Sequence, residues 1–167
     1  VEFELAKIDL YNSPAEFFTQ TWKDVQMQLY EDSDFGLQLL RANKFLNKDM
    51  QDLKKSIKNP EKRMNIVFDR LKNRMKWNGY SSLTTRQSLR NAWNEKAGNS
   101  AEINLLLIVM LQKAGIKTNP VILSTRKNGM LHPTRPSLYK MNYVIACAEI
   151  DGEEYLMDAT DPFSRIN

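Results

Sequence analysis

The 167 residues carry 24 Lys and Arg against 20 Asp and Glu, a net charge of +4, with 42% hydrophobic and 26% charged residues. That balance fits one globular domain with a sizeable core and excludes a disordered or collagen-like chain. A single cysteine (Cys147) and a single histidine (His132) exclude an internal disulfide and a Cys/His-rich metal site; no cofactor is expected, and no stretch reads as a signal peptide or membrane span.

In chain order, Val1–Tyr11 alternates Val1, Phe3 and Leu5 against Glu2 and Glu4, the period of a strand. Residues 1–20 can alternatively be read as an arm or linker. With no methionine at its head, the chain reads as a single domain, 1–167, cut from a longer polypeptide. Ser13-Pro14 is a break. Thr21 or an earlier residue is placed to cap a helix carrying Trp22, Val25 and Leu29; Asp32-Ser33-Asp34 interrupts, and Phe35, Leu39 and Leu40 predict a second short helix. Leu46, Met50, Leu53 and Ile57 predict an amphipathic helix from near Asn47. Asn59-Pro60 then opens another, with Met64, Val67, Phe68, Leu71 and Met75 as its buried stripe.

Lys44–Lys76 holds eleven Lys and Arg against four Asp and Glu, an excess of +7, so the remainder carries −3, much of it in Glu149–Asp161. Such a block can meet nucleic acid. Solvated faces of two amphipathic helices explain it more simply, so nucleic acid is not the expected partner. Trp77-Asn78-Gly79-Tyr80 predicts a turn, and Thr84–Lys96 a shorter helix with Leu89 and Trp93 inward.

Ala97–Ile116 is the stretch around which the rest is organised. Leu105–Leu111 is unbroken apolar sequence, too short to span a bilayer, and predicts a helix buried on nearly all sides. Asn99 and Glu102 stand at capping-box spacing, and Gly115 suits a left-handed stop. Ser100 falls in the first turn, where free N–H groups and the helix dipole favour negative charge. Beyond it, Pro120–Ser124 reads as a buried strand, Lys127-Asn128-Gly129 as a turn, and Met130–Pro136 as a proline-bearing loop. A long strand within Leu138–Ile150, an Asp151-Gly152 hairpin turn and Glu154–Asp158 follow. Helices first and strands later predict an α+β fold, the helical half and central helix packed on an antiparallel sheet.

Gly98-Asn99-Ser100, then Leu105–Leu111 with Ala114-Gly115-Ile116, then Met141–Ala146, then Tyr155–Pro162 (YLMDATDP) form an ordered set. It resembles the transglutaminase-like superfamily, whose core is related to papain-like cysteine peptidases, and most closely the branch in multidomain, exported proteins of Bacteroides-type bacteria. The resemblance covers about Pro60–Pro162. It implies a nucleophilic cysteine at the helix start, a histidine base on a following strand and an orienting aspartate on the next. Residue by residue, these positions fall on Ser100, on Tyr143 (or on its neighbour Asn142) and on Asp158. It also implies a periplasmic or extracellular setting and neighbouring domains of the same polypeptide as partners.

A serine hydroxyl needs a base, and a phenol of pKa about 10 makes a poor one. The resemblance therefore implies a non-catalytic domain with a binding or scaffolding role. Its cleft would take a peptide or glycan, with Asn99 and Asn142 as candidate binding residues and Trp77, Trp93 and Tyr143 as candidate walls. The two tryptophans read more simply as core. The alternative is an active acyl hydrolase, acyltransferase or peptidase that uses Ser100 with His132, or Cys147, which shares a strand face with Tyr143. An isolated small cysteine among Ile145, Ala146 and Ala148 is ordinarily packing, and a lone loop histidine is ordinarily exposed.

Overall fold

The computed structural model describes residues 7–8, 16–17, 21–41, 43–130 and 137–167. Lys7–Ile8 (β1) pairs antiparallel with Glu16–Phe17 (β2). The rest of the strand expected over Val1–Tyr11, the Ser13-Pro14 break, and the loop after Met130 with His132 lie outside the described residues. Thr21 caps α1 (Trp22–Glu31) in a capping box: its hydroxyl accepts from the Asp24 N–H at 3.2 Å, and its own N–H donates to the Asp24 carboxylate at 2.8 Å. Val25 and Leu29 face inward, while Trp22 stays largely outside. A short α2 (Gly36–Leu40) follows, with Phe35 buried before it.

α3 (Asn47–Ser56) buries Met50 and Leu53, and α4 (Pro60–Arg74) buries Met64, Val67, Phe68 and Leu71. Asn59 caps α4, its side chain accepting from the Lys62 N–H at 2.7 Å, with Pro60 at the first helical position where no N–H is missed. Lys76–Trp77 (β3) does not turn as expected but runs parallel to Ala97–Gly98 (β4), and the turn begins after it. Between them, α5 (Leu89–Glu95) starts five residues later than Thr84, capped by Ser88. The backbone before it is engaged elsewhere: the Thr85 N–H by the Asp34 carbonyl, and those of Arg86 and Gln87 by Glu102 of α6 (Ser100–Lys113).

α6 is buried at every position from Ser100 to Leu111, as its apolar run requires. Gly115 ends it at φ 78°. The Gly115 N–H donates to the Gln112 carbonyl and the Ile116 N–H to the Leu111 carbonyl, both at 3.0 Å, a Schellman closure.

Lys117–Leu123 (β5), Tyr143–Ile150 (β6) and Glu153–Met157 (β7) form an antiparallel sheet in that order. β5 begins three residues before the expected Pro120 and is half-buried rather than buried, because it pairs with β6 alone. An edge position also accommodates Pro120, which has no N–H to give a neighbour. Along β6, Val144, Ala146, Ala148 and Ile150 are buried in the core shared with α6, and the intervening residues from Ile145 onward are half-exposed. Asp151 (φ 54°) and Gly152 (φ 89°) close the two-residue hairpin with Ile150 opposite Glu153. The Asn167 backbone pairs with Leu156 on the outer side of β7. The chain is thus an α+β fold with helices packed on an antiparallel sheet. Among the described residues no helix is long and apolar enough to cross a membrane.

Candidate functional site

The first turn of a helix presents N–H groups with no partner inside the helix. At α6 the preceding chain takes them up. The Asn99 side-chain oxygen accepts from the Glu102 N–H, and the Glu102 carboxylate accepts from the Asn99 N–H, both at 2.8 Å. The same carboxylate, almost fully buried, also accepts from the N–H groups of Arg86 (2.9 Å) and Gln87 (3.2 Å). Gly98 makes room for it, since a Cβ there would stand 2.7 Å from a Glu102 carboxylate oxygen. The Asn99 amide group donates to the Thr84 carbonyl at 3.0 Å.

Ser100 is 0% exposed. Its hydroxyl donates to the Ser82 carbonyl (3.0 Å) and accepts from the Ser82 N–H (2.7 Å), while its own N–H donates to the Tyr80 carbonyl (3.1 Å). The Tyr80 carbonyl accepts a second bond, from the Trp77 indole at 3.0 Å, and the Arg86 guanidinium lies 5.0 Å from the Tyr80 ring. The segment from Tyr80 to Gln87 is therefore fastened across the helix start, and among the described residues no acid or base touches the Ser100 hydroxyl.

A second polar cluster forms where β6 begins and β7 has ended. The register that pairs Ala146 with Met157 would next bring Val144 opposite Ala159. Instead the Asn104 carboxamide stands between them, donating to the Val144 carbonyl and accepting from the Ala159 N–H, both at 2.9 Å. Asn104 also donates to Asp158 Oδ1 at 3.0 Å. The Tyr143 hydroxyl donates to Asp158 Oδ2 at 2.9 Å and lies 2.9 Å from the Thr160 hydroxyl, which itself donates to Asp158 Oδ1 at 2.8 Å. Burial, and to a smaller degree the Asp158 charge, push the Tyr143 phenol well above its ordinary pKa of 10.0, so it remains a protonated donor at neutral pH.

Of the positions singled out in the sequence, Tyr143 and Asp158 are joined directly. Ser100 joins neither; Asn104, one turn further along the same helix, bonds to Asp158. Asn142 is committed to Thr125, accepting from its N–H and donating to its hydroxyl at 2.9 Å each. Asn99 is fully buried in its cap. Trp93 packs partly buried against the core, 6.1 Å from Phe45, in keeping with a core role, whereas Trp77 is 43% exposed and is not core. Cys147 is half-buried on the same face of β6 as Tyr143; burial first, then Glu154 and Glu149, raise its thiol pKa. Among the described residues no three His, Cys, Asp or Glu side chains gather as metal ligands would.

Sequence reasoning missed Asn104, Thr160 and Ser82. Asn104 had a signal: a carboxamide inside a buried helix must find partners. Ser82 had none, since the groups it offers Ser100 are its backbone N–H and C=O.

No family model matches the chain, and no curated protein matches it. It is similar to the crystal structure of a "putative protease" from Parabacteroides distasonis ATCC 8503, with a TM-score of 0.60 and 22% sequence identity over 74% of this chain. This chain spans only 25% of that one. At that identity the likeness is one of fold.

Proposed function

We propose that this chain is a transglutaminase-like domain with Ser100, Tyr143 and Asp158 at its triad positions, and that it binds or braces rather than catalyses within a larger, exported bacterial protein. The carrying observation is Ser100 itself. Its hydroxyl is buried, bonded both ways to Ser82, and, among the described residues, without a base. A serine nucleophile requires an adjacent base to take its proton. Tyr143, at the base position, is instead a donor to Asp158. The likeness in fold to a protein named as a protease supports a cysteine-proteinase-like core. The partners in this reading are neighbouring domains of the same polypeptide, with a peptide or glycan against the exposed Trp77.

Cys147 does not restore catalysis, because a raised thiol pKa is the opposite of activation. The test treats native protein, urea-unfolded protein and the Ser100→Ala and Cys147→Ala variants with electrophilic acyl probes for serine and for cysteine. Native protein is expected to label no more than the unfolded chain. Labelling of the native protein that either alanine variant abolishes would overturn the non-catalytic reading. The mapping is tested apart from it: Ser100→Cys with Tyr143→His should give a thiol of lower pKa than Ser100→Cys alone, and equal values would refute the assigned positions.

A further inference from the structure

Away from Ser100, α4 turns a second face outward. Ile66, Asp69, Arg70, Asn73 and Arg74 recur at helical spacing and, with Lys96, line an open cavity of about 560 Å³. Three cations face one carboxylate there, and among the described residues none of the three forms an ion pair. This is where the basic excess of Lys44–Lys76 is reinforced by a lysine from outside that block.

Arg74 is held in place. Its guanidinium lies 4.0 Å from the centre of the Trp93 ring, and Nη2 donates to the Trp93 carbonyl at 3.1 Å. Its Nε is buried and has no acceptor. Lys96 is also fixed at the backbone: it ends α5 in the left-handed region (φ 57°), and its carbonyl accepts from the Lys76 N–H at 2.9 Å. The groove thus combines a guanidinium fixed against Trp93 with two exposed charges, unpaired among the described residues, a set that recognises oxyanions.

We propose that this groove binds a small organic acid or organic phosphate through its carboxylate or phosphate, with Arg74 as the anchoring fork and Arg70 and Lys96 supplying charge.

The experiment follows the Arg74 Nε–H signal by ¹⁵N NMR, with calorimetry alongside, as inorganic phosphate, succinate or a DNA oligonucleotide is added. Sodium chloride at matched ionic strength is the control. A saturable shift with phosphate or succinate supports the proposal, and which of them is stronger tells phosphate ligands from carboxylate ones. Affinity should fall about tenfold in Arg70→Gln and in Lys96→Asn, the expected effect of losing one charge-assisted contact. Both side chains are exposed, and asparagine tolerates the left-handed backbone at residue 96, so both variants should fold. Three results would overturn the proposal: responses no larger than those to sodium chloride, unchanged affinity in both variants, or saturation by DNA alone.

Discussion

The two polar networks on α6 are built in opposite ways. At its first turn, Asn99, Ser100 and Glu102 engage backbone groups, of residues 80–87 or of the helix start itself. One turn further on, Asn104 joins side chains and backbone groups 40, 54 and 55 residues away, where Tyr143, Asp158 and Thr160 bond through their side chains. The first network secures a loop through the N–H and C=O groups of the loop, so α6 does not depend on which side chains those residues carry. The second depends on the identity of each member.

Truncating a member of each network tests that contrast. The largest effect is expected for Glu102→Ala, which strips acceptors from the N–H groups of Asn99, Arg86 and Gln87. At about 1–3 kcal/mol for each donor left unpaired, and with some water entering, the loss should be about 3–5 kcal/mol by urea unfolding. Ser82→Ala, which keeps the backbone groups that Ser100 uses, should cost less than about 1 kcal/mol. A Ser82→Ala loss as large as that of Glu102→Ala would contradict a loop held by its backbone. Asn104→Leu should come next, at about 2–4 kcal/mol, since it leaves the Val144 carbonyl and the Ala159 N–H apart and unbonded.

Of the three network truncations the smallest effect is expected at Tyr143, where Phe removes one hydroxyl and should cost about 1–2 kcal/mol at neutral pH. This position adds a signature in pH. The folded pKa is raised above the unfolded value of 10.0, chiefly by burial, so its contribution is fully present below that value and is lost as pH rises through the folded pKa. Wild-type stability should therefore decline above pH ~10, and Tyr143→Phe should flatten that decline in denaturant melts taken across the range. Identical slopes would show that the phenol is not the titrating group.

The same contrast explains what could be read in the sequence. Asn99 with Glu102, Gly115, and Asp151-Gly152 are local signals, and each does in the structure what its spacing implies. Residues 84–87 stay out of the helix partly through the local Ser88 cap of α5 and partly through distant partners: Glu102, 15 and 16 residues away, takes the N–H groups of Gln87 and Arg86, and the Asp34 carbonyl takes that of Thr85. The position of Asn104 depends on the register of β6 with β7, which a hairpin turn suggests but a single helix sequence does not contain. Trp77 was misread as core because hydrophobicity alone does not distinguish a buried indole from one whose N–H serves a neighbouring carbonyl at the surface.

The Tyr80 carbonyl, seated on the Ser100 N–H, has one further consequence. On the proposed mapping that N–H is a donor an acyl oxygen would seek, and the chain has already supplied it with one. An external carbonyl would compete with a tethered rival whose effective concentration is millimolar even for a short flexible connection. Here the rival is also held by the Trp77 indole and, through Ser82 and Thr84, by the side chains of Ser100 and Asn99. Restoring a thiol and an imidazole would return the reactive groups to a site still occupied by the protein's own peptide. Access would depend on how often that segment lets go.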